Sequence, residues 1–456
     1  MAVYEEIQQF LAGRIWLRHV MPFPTEKIDE AIDQGWIQTM KGVIEKPTWH
    51  GKQYQCNRCL NENPSPFTIF QCAQCETTCA YCRNCLKMGR VSSCSELLVW
   101  TGQAPAYPTD HRMNWQGNLT PSQEKATNEL LDSTKQGISH LLYAVCGSGK
   151  TEMLFQPIHY LLNEGKRVCL AAPRVDVILE LLPRLQAAFP DTVIEALYGG
   201  AEVERFDAQL ILATTHQLYR FHEAFDAIFV DEADAFPYTA DETLQRAVKK
   251  AVKPSAPIHF VTATPSAQLL AMNKKQGNIS ILARRYHGKP LPEPRNETLW
   301  NYEKQLKKKR IPKKLLQWTK ERLENQQPFL IFFHQIELME IAEPLFQQLD
   351  ERICAVHAEH ADRKERVQML RKKEIPGLLT TTILERGITI PNVQVAVVGA
   401  EQTIFNKGAL IQIGGRVGRS VPHTAGDFVL FHQGITNAMD EAKREIRKLN
   451  KQEILQ

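Results

Sequence analysis

A short stretch of the chain carries the residue types that bind the phosphates of a nucleoside triphosphate. It reads A-V-C-G-S-G-K-T, and the apolar run from His140 to Val145 leads into it. Gly147 and Gly149 allow backbone N–H groups to approach phosphate oxygens. Lys150 can reach the β and γ oxygens, and the Thr151 hydroxyl can bind Mg²⁺. The order of strand, glycine turn and helix therefore predicts an ATP-binding phosphate loop, formed by Ala144, Val145, Cys146, Gly147, Ser148, Gly149, Lys150 and Thr151.

The phosphate loop departs from the usual motif at its first position, where Ala144 replaces glycine. Alanine does not enter positive φ cheaply, so the turn must begin from an ordinary backbone dihedral. A glycine turn with an incidental lysine is the alternative interpretation. The residues further along the chain decide between the two.

An acidic turn supplies the second half of the expected ATP site. The apolar run Ala227 to Val230 ends in Asp231-Glu232-Ala233-Asp234. At the carboxyl end of a parallel strand, Asp231 can hold Mg²⁺ and Glu232 can polarise the attacking water. We therefore predict these two carboxylates and Lys150 as catalytic residues.

Three further residues of the same half are candidates for nucleotide recognition and coupling. Gln123 follows Thr120, a candidate helix cap, and an amide can make a two-point contact with adenine. Thr262 and Thr264 end an apolar run in V-T-A-T-P, and their hydroxyls are suited to link hydrolysis to movement of a second lobe.

The second half of the chain has two segments that can complete the site. T-I-L-E-R-G places Gly387 near a strand end, and Q-I-G-G-R-V-G-R contains Gln412, Arg416 and Arg419. The two arginines are three residues apart, on one face if the segment is helical. One or both can reach the γ-phosphate as arginine fingers, so that hydrolysis requires closure of two lobes.

The surrounding elements predict an α/β fold with two parallel-sheet lobes. Apolar runs alternate with helical stretches in both halves, as expected for parallel strands covered by helices. The expected strands are 168–173, 192–197, 210–215, 227–230 and 258–261 in the first lobe, and 329–333, 353–357, 378–382, 394–398 and 428–431 in the second.

Eight of the eleven cysteines lie in one segment before these lobes, and their spacing is typical of zinc ligands. A C-x2-C pair presents two thiolates from one turn, and two such pairs complete a tetrahedral site. Eight ligands can hold one or two ions. Sequential pairing and nested pairing, with Cys56 and Cys59 joined to Cys82 and Cys85, both remain open. The candidate ligands are Cys56, Cys59, Cys72, Cys75, Cys79, Cys82, Cys85 and Cys94.

The cysteine segment also has more basic than acidic residues, together with four aromatic residues. These features suit stacking on single-stranded bases beside phosphate contacts. The alternative is that the aromatic rings form a small core around the metal. The aromatic residues are Tyr54, Phe67, Phe70 and Tyr81.

Composition and charge exclude several classes of protein. The formal net charge is only +4 in 456 residues, so any nucleic-acid surface must be a local patch. No run of about 18 apolar residues and no signal-peptide pattern occurs, so we expect a cytoplasmic protein without a transmembrane segment. In that reducing compartment the cysteines indicate metal rather than disulfides.

We predict five segments along the chain. They are an N-terminal accessory region at 1–50, a zinc-binding module at 51–100, an ATP-binding lobe at 118–285, a second lobe at 300–435 and a C-terminal helix at 436–456.

The ordered set of motifs resembles the core of superfamily 2 helicases, which implies two RecA-like lobes and a nucleic-acid-stimulated ATPase. The letters D-E-A-D suggest an RNA helicase of the DEAD-box class. However, Gln412 stands where that class usually has histidine, and Thr389 stands where it usually has aspartate. DEAD-box proteins also lack a cysteine module before the helicase core.

The whole chain resembles the ComFA-type late competence ATPases, through the cysteine module, A-Y-C-R-N-C-L-K-M-G-R at 80–90 and the phosphate loop. The resemblance implies ATP-driven movement on single-stranded DNA during uptake of transforming DNA, with ATP, Mg²⁺ and Zn²⁺. It also implies ComFC, DprA and the ComEC channel as partners and permits a peripheral position at the inner face of the membrane. The alternatives are a DEAD-box-like RNA helicase and a replication-restart-type DNA helicase, and self-association is left open.

Overall fold

The computed structural model describes residues 2–49, 51–201, 207–358, 360, 362–385 and 390–452. The chain forms two compact units, of which the first comprises 1–142 and 151–280 and the second 143–150 and 281–456. The second unit thus contains most of the phosphate loop. No helix among the described residues is long and apolar enough to cross a membrane.

The N-terminal hundred residues form three small antiparallel sheets and two helices. The strand orders are β1-β8-β2, β3-β4 and β5-β6-β7. Short 3-10 helices lie at Arg18–Val20 and Arg83–Met88. The elements are α1 (Ala2–Leu11), β1 (Ile15–Leu17), α2 (Thr25–Asp33), β2 (Ile37–Lys41), β3 (Val43–Thr48), β4 (Gly51–Cys56), β5 (Phe67–Gln71), β6 (Thr78–Cys82), β7 (Val91–Ser92) and β8 (Glu96–Trp100).

A seven-stranded sheet forms the first lobe, with the order β11-β12-β10-β13-β14-β9-β15. The five adjacent strands β11, β12, β10, β13 and β14 pair in parallel. The three inner strands of this set, β12, β10 and β13, are buried along their whole length. A 3-10 helix follows β12 at Thr215–Arg220. The elements are α3 (Pro121–Lys135), β9 (Leu141–Ala144), α4 (Lys150–Met153), α5 (Phe155–Asn163), β10 (Val168–Ala172), α6 (Val175–Ala188), β11 (Ile194–Leu197), β12 (Leu210–Thr214), β13 (Ala227–Asp231), α7 (Glu242–Ala251), β14 (Ile258–Thr262), α8 (Ala267–Gln276) and β15 (Ile279–Leu282).

A six-stranded, fully parallel sheet forms the second lobe, in the order β16-β21-β20-β17-β19-β18. A 3-10 helix lies at Thr382–Leu384. The elements are β16 (Arg295–Thr298), α9 (Tyr302–Lys307), α10 (Lys313–Glu324), β17 (Phe329–Phe333), α11 (Ile336–Gln347), β18 (Cys354–Val356), α12 (Arg363–Arg371), β19 (Gly377–Thr380), β20 (Gln394–Val398), α13 (Lys407–Gly414), β21 (Phe428–His432) and α14 (Asn437–Gln452).

The predicted fold class is confirmed: the chain is α/β, with two parallel-sheet lobes after a cysteine-rich module. Strands β17 and β20 coincide with the predicted runs, and the other strands differ from theirs by up to two residues at an end. Strand β16 lies in the proline-rich stretch 285–300, which the sequence did not predict as a strand. It pairs with β21 at the edge of the second sheet.

The N-terminal region packs on the first lobe within the first unit. One continuous core contains β1 and β8 residues, buried cysteines of the module and residues of the first lobe. Gly13 enables this contact, because its φ is +72° and a Cβ there would lie 2.7 Å from the Cβ of Ala224. Arg167 donates to the Ala12 carbonyl at 3.1 Å. Sequence analysis assigned this region no role, and the structure gives it an extensive interface.

The segment between Trp100 and α3 has no helix or strand, yet it is anchored to the first lobe. His111 is buried, and its Nδ1 lies 2.8 Å from Oγ1 of Thr192. Its Nε2 lies 2.9 Å from Oε1 of Gln209. The segment is therefore a docked connection.

Candidate nucleotide site and metal centres

The phosphate loop has the backbone that its glycines predict. Strand β9 ends at Ala144, and the following turn has φ of +80° at Gly147 and +78° at Gly149. Helix α4 begins at Lys150. Ala144 is not among the described residues with positive φ, so the replacement of glycine there costs no backbone strain.

Within the second unit, the phosphate loop contacts the segment that contains Gln412 and the two arginines. The Cys146 thiol donates to Oε1 of Gln412 at 2.7 Å. A Cβ at Gly415 would lie 2.5 Å from the Cβ of Cys146, so only glycine permits this approach. Gly147 faces Arg419, whose Cγ would lie 3.5 Å from a Cβ at that position. Sequence reasoning named these residues but did not pair them.

The two candidate arginine fingers occupy different positions. Helix α13 ends at Gly414, and Gly418 has φ of +67°, so the arginines are not on one face of a helix. Arg416 is buried and donates to the Glu385 carbonyl from Nε and Nη2, at 2.9 and 2.6 Å. Arg419 is the arginine that lies beside the phosphate loop.

The acidic turn has the position that its sequence predicts. Asp231 is the last residue of β13 and is buried, and its Oδ1 accepts the Glu232 N–H at 2.8 Å. Glu232 has φ of +50°, a conformation uncommon for a side chain of this kind. The carboxylates thus leave the strand end through a tight turn.

Asp234 joins the acidic turn to the hydroxyls that follow β14. It accepts hydrogen bonds from Oγ1 of Thr262, at 2.5 Å, and from Oγ1 of Thr264. Sequence analysis selected both threonines but not this aspartate. Its position three residues after Asp231, within reach of a neighbouring strand end, was the available signal.

Gln123 is buried at the start of α3, where it also caps the helix. Its Oε1 accepts the Thr120 N–H at 2.8 Å, and the Thr120 hydroxyl accepts the Gln123 N–H, which is a capping box. This geometry fixes the orientation of its amide. Gly387, the remaining coupling candidate, lies outside the described residues.

The structure brings the eight cysteines of the module into two groups of four with nested pairing. In each group the four sulfur atoms lie within 4.8 Å of one another. A tetrahedron with Zn–S bonds of about 2.3 Å has sulfur atoms about 3.8 Å apart. Closest pairs of 3.4 to 3.8 Å therefore fit zinc. The first group is Cys56, Cys59, Cys82 and Cys85, and the second is Cys72, Cys75, Cys79 and Cys94.

The two cysteine groups differ in their surroundings. The first is fully buried, and Arg58 holds its second knuckle by donating to the Cys85 carbonyl at 2.8 Å. The second is partly exposed. There, hydrogen bonds from Thr77 lower the pKa of Cys75 to about 6, whereas burial raises the pKa of Cys79 to about 12. The first group is thus part of the protein core and the second lies near the surface.

Two basic side chains of α7 attach the first cysteine group to the lobe. Arg246 donates to the Leu60 carbonyl at 3.0 Å, and Lys250 donates to the carbonyls of Arg58 and Tyr219. Burial lowers the pKa of Lys250 to about 8. The turn between Cys56 and Cys59 and the first lobe are therefore joined by hydrogen bonds.

The four aromatic residues of the module divide into two pairs. Tyr54 and Phe67 are 5.7 Å apart and pack on the core. Phe70 and Tyr81 form an edge-to-face pair at 5.6 Å, and Arg90 lies 5.0 Å above Phe70. Tyr54 and Phe67 therefore fit the interpretation that the rings form a small core. Phe70 and Tyr81 are the better candidates for stacking on single-stranded bases.

Three family descriptions match successive parts of the chain. "Competence protein ComFA N-terminal domain" matches residues 2–99. "Type III restriction enzyme, res subunit" matches residues 116–267, and "Helicase conserved C-terminal domain" matches residues 306–421.

Individual proteins show the same similarity. The competence protein ComFA of Bacillus subtilis is 40% identical over 98% of this chain and 95% of its own length. The competence protein ComFA of Streptococcus pneumoniae is 42% identical over 82% of this chain and 86% of its own length. Among solved structures, S. cerevisiae Dbp5 bound to RNA and ADP BeF3 covers 73% of this chain and 92% of its own, with a TM-score of 0.52 and 16% identity.

Because the identity to Dbp5 is only 16%, that similarity supports the helicase fold alone. The identity to the Bacillus subtilis protein covers 98% of this chain and therefore extends over the cysteine module and both lobes. The resemblance expected from the motifs is confirmed. The chain belongs to the ComFA family of competence-related superfamily 2 helicases, which are ATP-dependent enzymes.

Proposed function

We propose that this chain is an ATP-driven motor that moves along single-stranded DNA and draws transforming DNA into the cytoplasm during natural competence. The observation that carries this proposal is the 40% identity to a competence ComFA protein over nearly the whole chain. The buried Asp231, the Glu232 turn and Arg419 beside the phosphate loop support it, because a nucleotide-binding scaffold without hydrolysis does not need them.

The catalytic roles follow from the chemistry of the residues. Mg²⁺ supplies charge neutralisation at the phosphates when it is bound with ATP. Lys150 would bind the β and γ oxygens, and Thr151 and Asp231 would hold the ion. Glu232 orients the attacking water, and Arg419 stabilises charge on the γ-phosphate.

Arg416, Gln412 and the threonines act around this centre. Arg416 fixes the Glu385 carbonyl, which follows the 3-10 helix at Thr382–Leu384. Gln412 couples its own segment to the phosphate loop through the hydrogen bond from Cys146. Thr262 and Thr264 transmit changes at the acidic turn through Asp234. Gln123 recognises adenine.

We propose that the two cysteine groups each hold one zinc ion and that the module holds or delivers the DNA strand. Zinc supplies cross-links that a small sheet cannot obtain from its own core. The proposed segments remain 1–50, 51–100, 118–285, 300–435 and 436–456. By family membership, the proposed partners are ComFC, DprA and the ComEC channel. The proposed location is the cytoplasm, which permits a peripheral position at the inner face of the membrane.

Steady-state ATP hydrolysis with no polymer, with single-stranded DNA and with RNA of matched length tests this function. We expect strong stimulation by DNA, and we expect Lys150→Ala and Glu232→Gln to abolish turnover without unfolding the protein. Stimulation mainly by RNA would instead favour the class whose D-E-A-D letters the chain carries.

A further inference from the structure

Arg285 is a buried arginine that sequence analysis did not select. It lies three residues after β15 and is only 2% exposed. Its Nη1 donates to the carbonyls of Val417 and Gly418, both at 2.6 Å. Arg285 therefore holds the turn that carries Arg419.

The same residue contacts the phosphate loop within the second unit. Its Cγ would lie 3.8 Å from a Cβ at Gly147, and the adjacent Tyr286 N–H donates to the Gly147 carbonyl at 2.9 Å. A Cβ at Gly418 would lie 3.0 Å from Nη1 of Arg285. The guanidinium is thus enclosed by the two segments that are proposed to bind ATP phosphates.

The other two nitrogens of the guanidinium, Nε and Nη2, are buried. Among the residues that the structure describes, none accepts a hydrogen bond from Nε or Nη2 of Arg285. Buried donors of a charged group are costly to leave unsatisfied. Burial, together with the like charge of Arg419, also lowers the pKa of Arg285 to about 10. An anion at this position would satisfy the two N–H groups and offset the repulsion between the arginines.

We propose that Arg285 is a third arginine of the nucleotide site, whose Nε and Nη2 bind phosphate oxygens of ATP while its Nη1 fixes the turn that carries Arg419. This inference rests on the proposed ATP site. Two roles for one planar guanidinium explain why lysine would be a poor replacement, because an ammonium is a point charge without the fork geometry.

Equilibrium titration with a fluorescent ATP analogue and with the matching ADP analogue tests the proposal, on the full-length chain. We expect Arg285→Gln to weaken binding of the ATP analogue at least tenfold and to lower kcat/KM for ATP by more than the affinity loss, since Arg419 also loses its support. Arg285→Lys retains the charge and should recover only part of the affinity.

Arg284→Gln is the matched control, because the neighbouring arginine donates to the Asn450 carbonyl in α14 at 2.8 Å and should leave nucleotide affinity unchanged. The shift of the thermal midpoint on adding analogue separates lost binding from lost folding. Wild-type affinity in Arg285→Gln would overturn the inference, as would wild-type affinity in Arg285→Lys if the glutamine variant does not fold. If the wild-type protein itself bound no nucleotide, the proposed function would fail first.

Discussion

The thiol of Cys146 donates a hydrogen bond to Oε1 of Gln412 across 2.7 Å, and both side chains are buried. This bond joins the phosphate loop to the segment that contains Arg416 and Arg419. It also gives a physical role to a position at which DEAD-box proteins usually have histidine. The loop and the arginine segment are therefore linked by side-chain contact as well as by the close approach at Gly415.

Removing the donor should have more effect than replacing its sulfur. Cys146→Ala removes this hydrogen bond, at a cost of about 0.5–1.5 kcal/mol, whereas Cys146→Ser retains a donor. We expect a lower thermal midpoint and a lower kcat for the alanine variant than for the serine variant. Equal behaviour of the two variants in both measurements would mean that the hydrogen bond has no role.

Zinc content of paired variants tests the nested cysteine groups. Cys59→Ser with Cys85→Ser damages one group and should leave one zinc per chain, whereas Cys59→Ser with Cys75→Ser damages both and should leave none. Elemental analysis of the purified variants measures this. Sequential pairing requires the reverse result, so the two double variants control for each other.

The interface between the N-terminal region and the first lobe should depend on Gly13. Alanine there must adopt a φ of +72° and place its Cβ 2.7 Å from that of Ala224. Strain and overpacking together should cost about 2–4 kcal/mol of the free energy of unfolding, measured in urea. Gly35→Ala is the control, because its φ is +74° but nothing lies within 4 Å. If both variants lost the same stability, the contact with Ala224 would be unimportant.

Two buried histidines should make the first lobe sensitive to acid. Burial lowers the pKa of His259 to about 3 and of His140 to about 4, whereas an unfolded histidine titrates near 6.5. The unfolded chain therefore binds more protons below pH 6.5, and stability falls as the pH falls from there toward 4. The loss is about 2 kcal/mol per histidine at pH 5.

Urea unfolding between pH 7.5 and 5 measures this dependence. His259→Gln removes one titrating group and should flatten the pH dependence while lowering stability at pH 7.5, since His259 also lies 3.1 Å from the Thr134 hydroxyl. If the free energy of unfolding of the variant depended on pH as that of the wild type does, the pKa of His259 would not differ between the folded and unfolded states.

Much of the fold could be predicted because buried parallel strands are continuous apolar runs. The segments Phe329–Phe333 and Gln394–Val398 are examples, and both form strands with the predicted bounds. Strand β16 was missed because Arg295–Thr298 is polar and lies at a sheet edge, where burial does not impose an apolar pattern. The anchored segment around His111 was missed because its partners are up to 98 residues away.

The candidate site shows the same division. The phosphate loop and the acidic turn could be predicted from the sequence because their glycines and carboxylates directly follow apolar runs that form strands. Contacts between distant segments have no local signature, which is why the partners of Cys146, Asp234 and Arg285 emerged only from the structure. Cysteine spacing likewise predicts the candidate zinc ligands but not their pairing, since the C-x2-C turns are the same in both arrangements.

Displacement of streptavidin from biotinylated single-stranded DNA tests the central claim, directed movement, most directly. We predict ATP-dependent displacement from one end of the oligonucleotide and not from the other, and none by the Glu232→Gln variant. DNA-stimulated hydrolysis without displacement from either end would contradict a translocating motor.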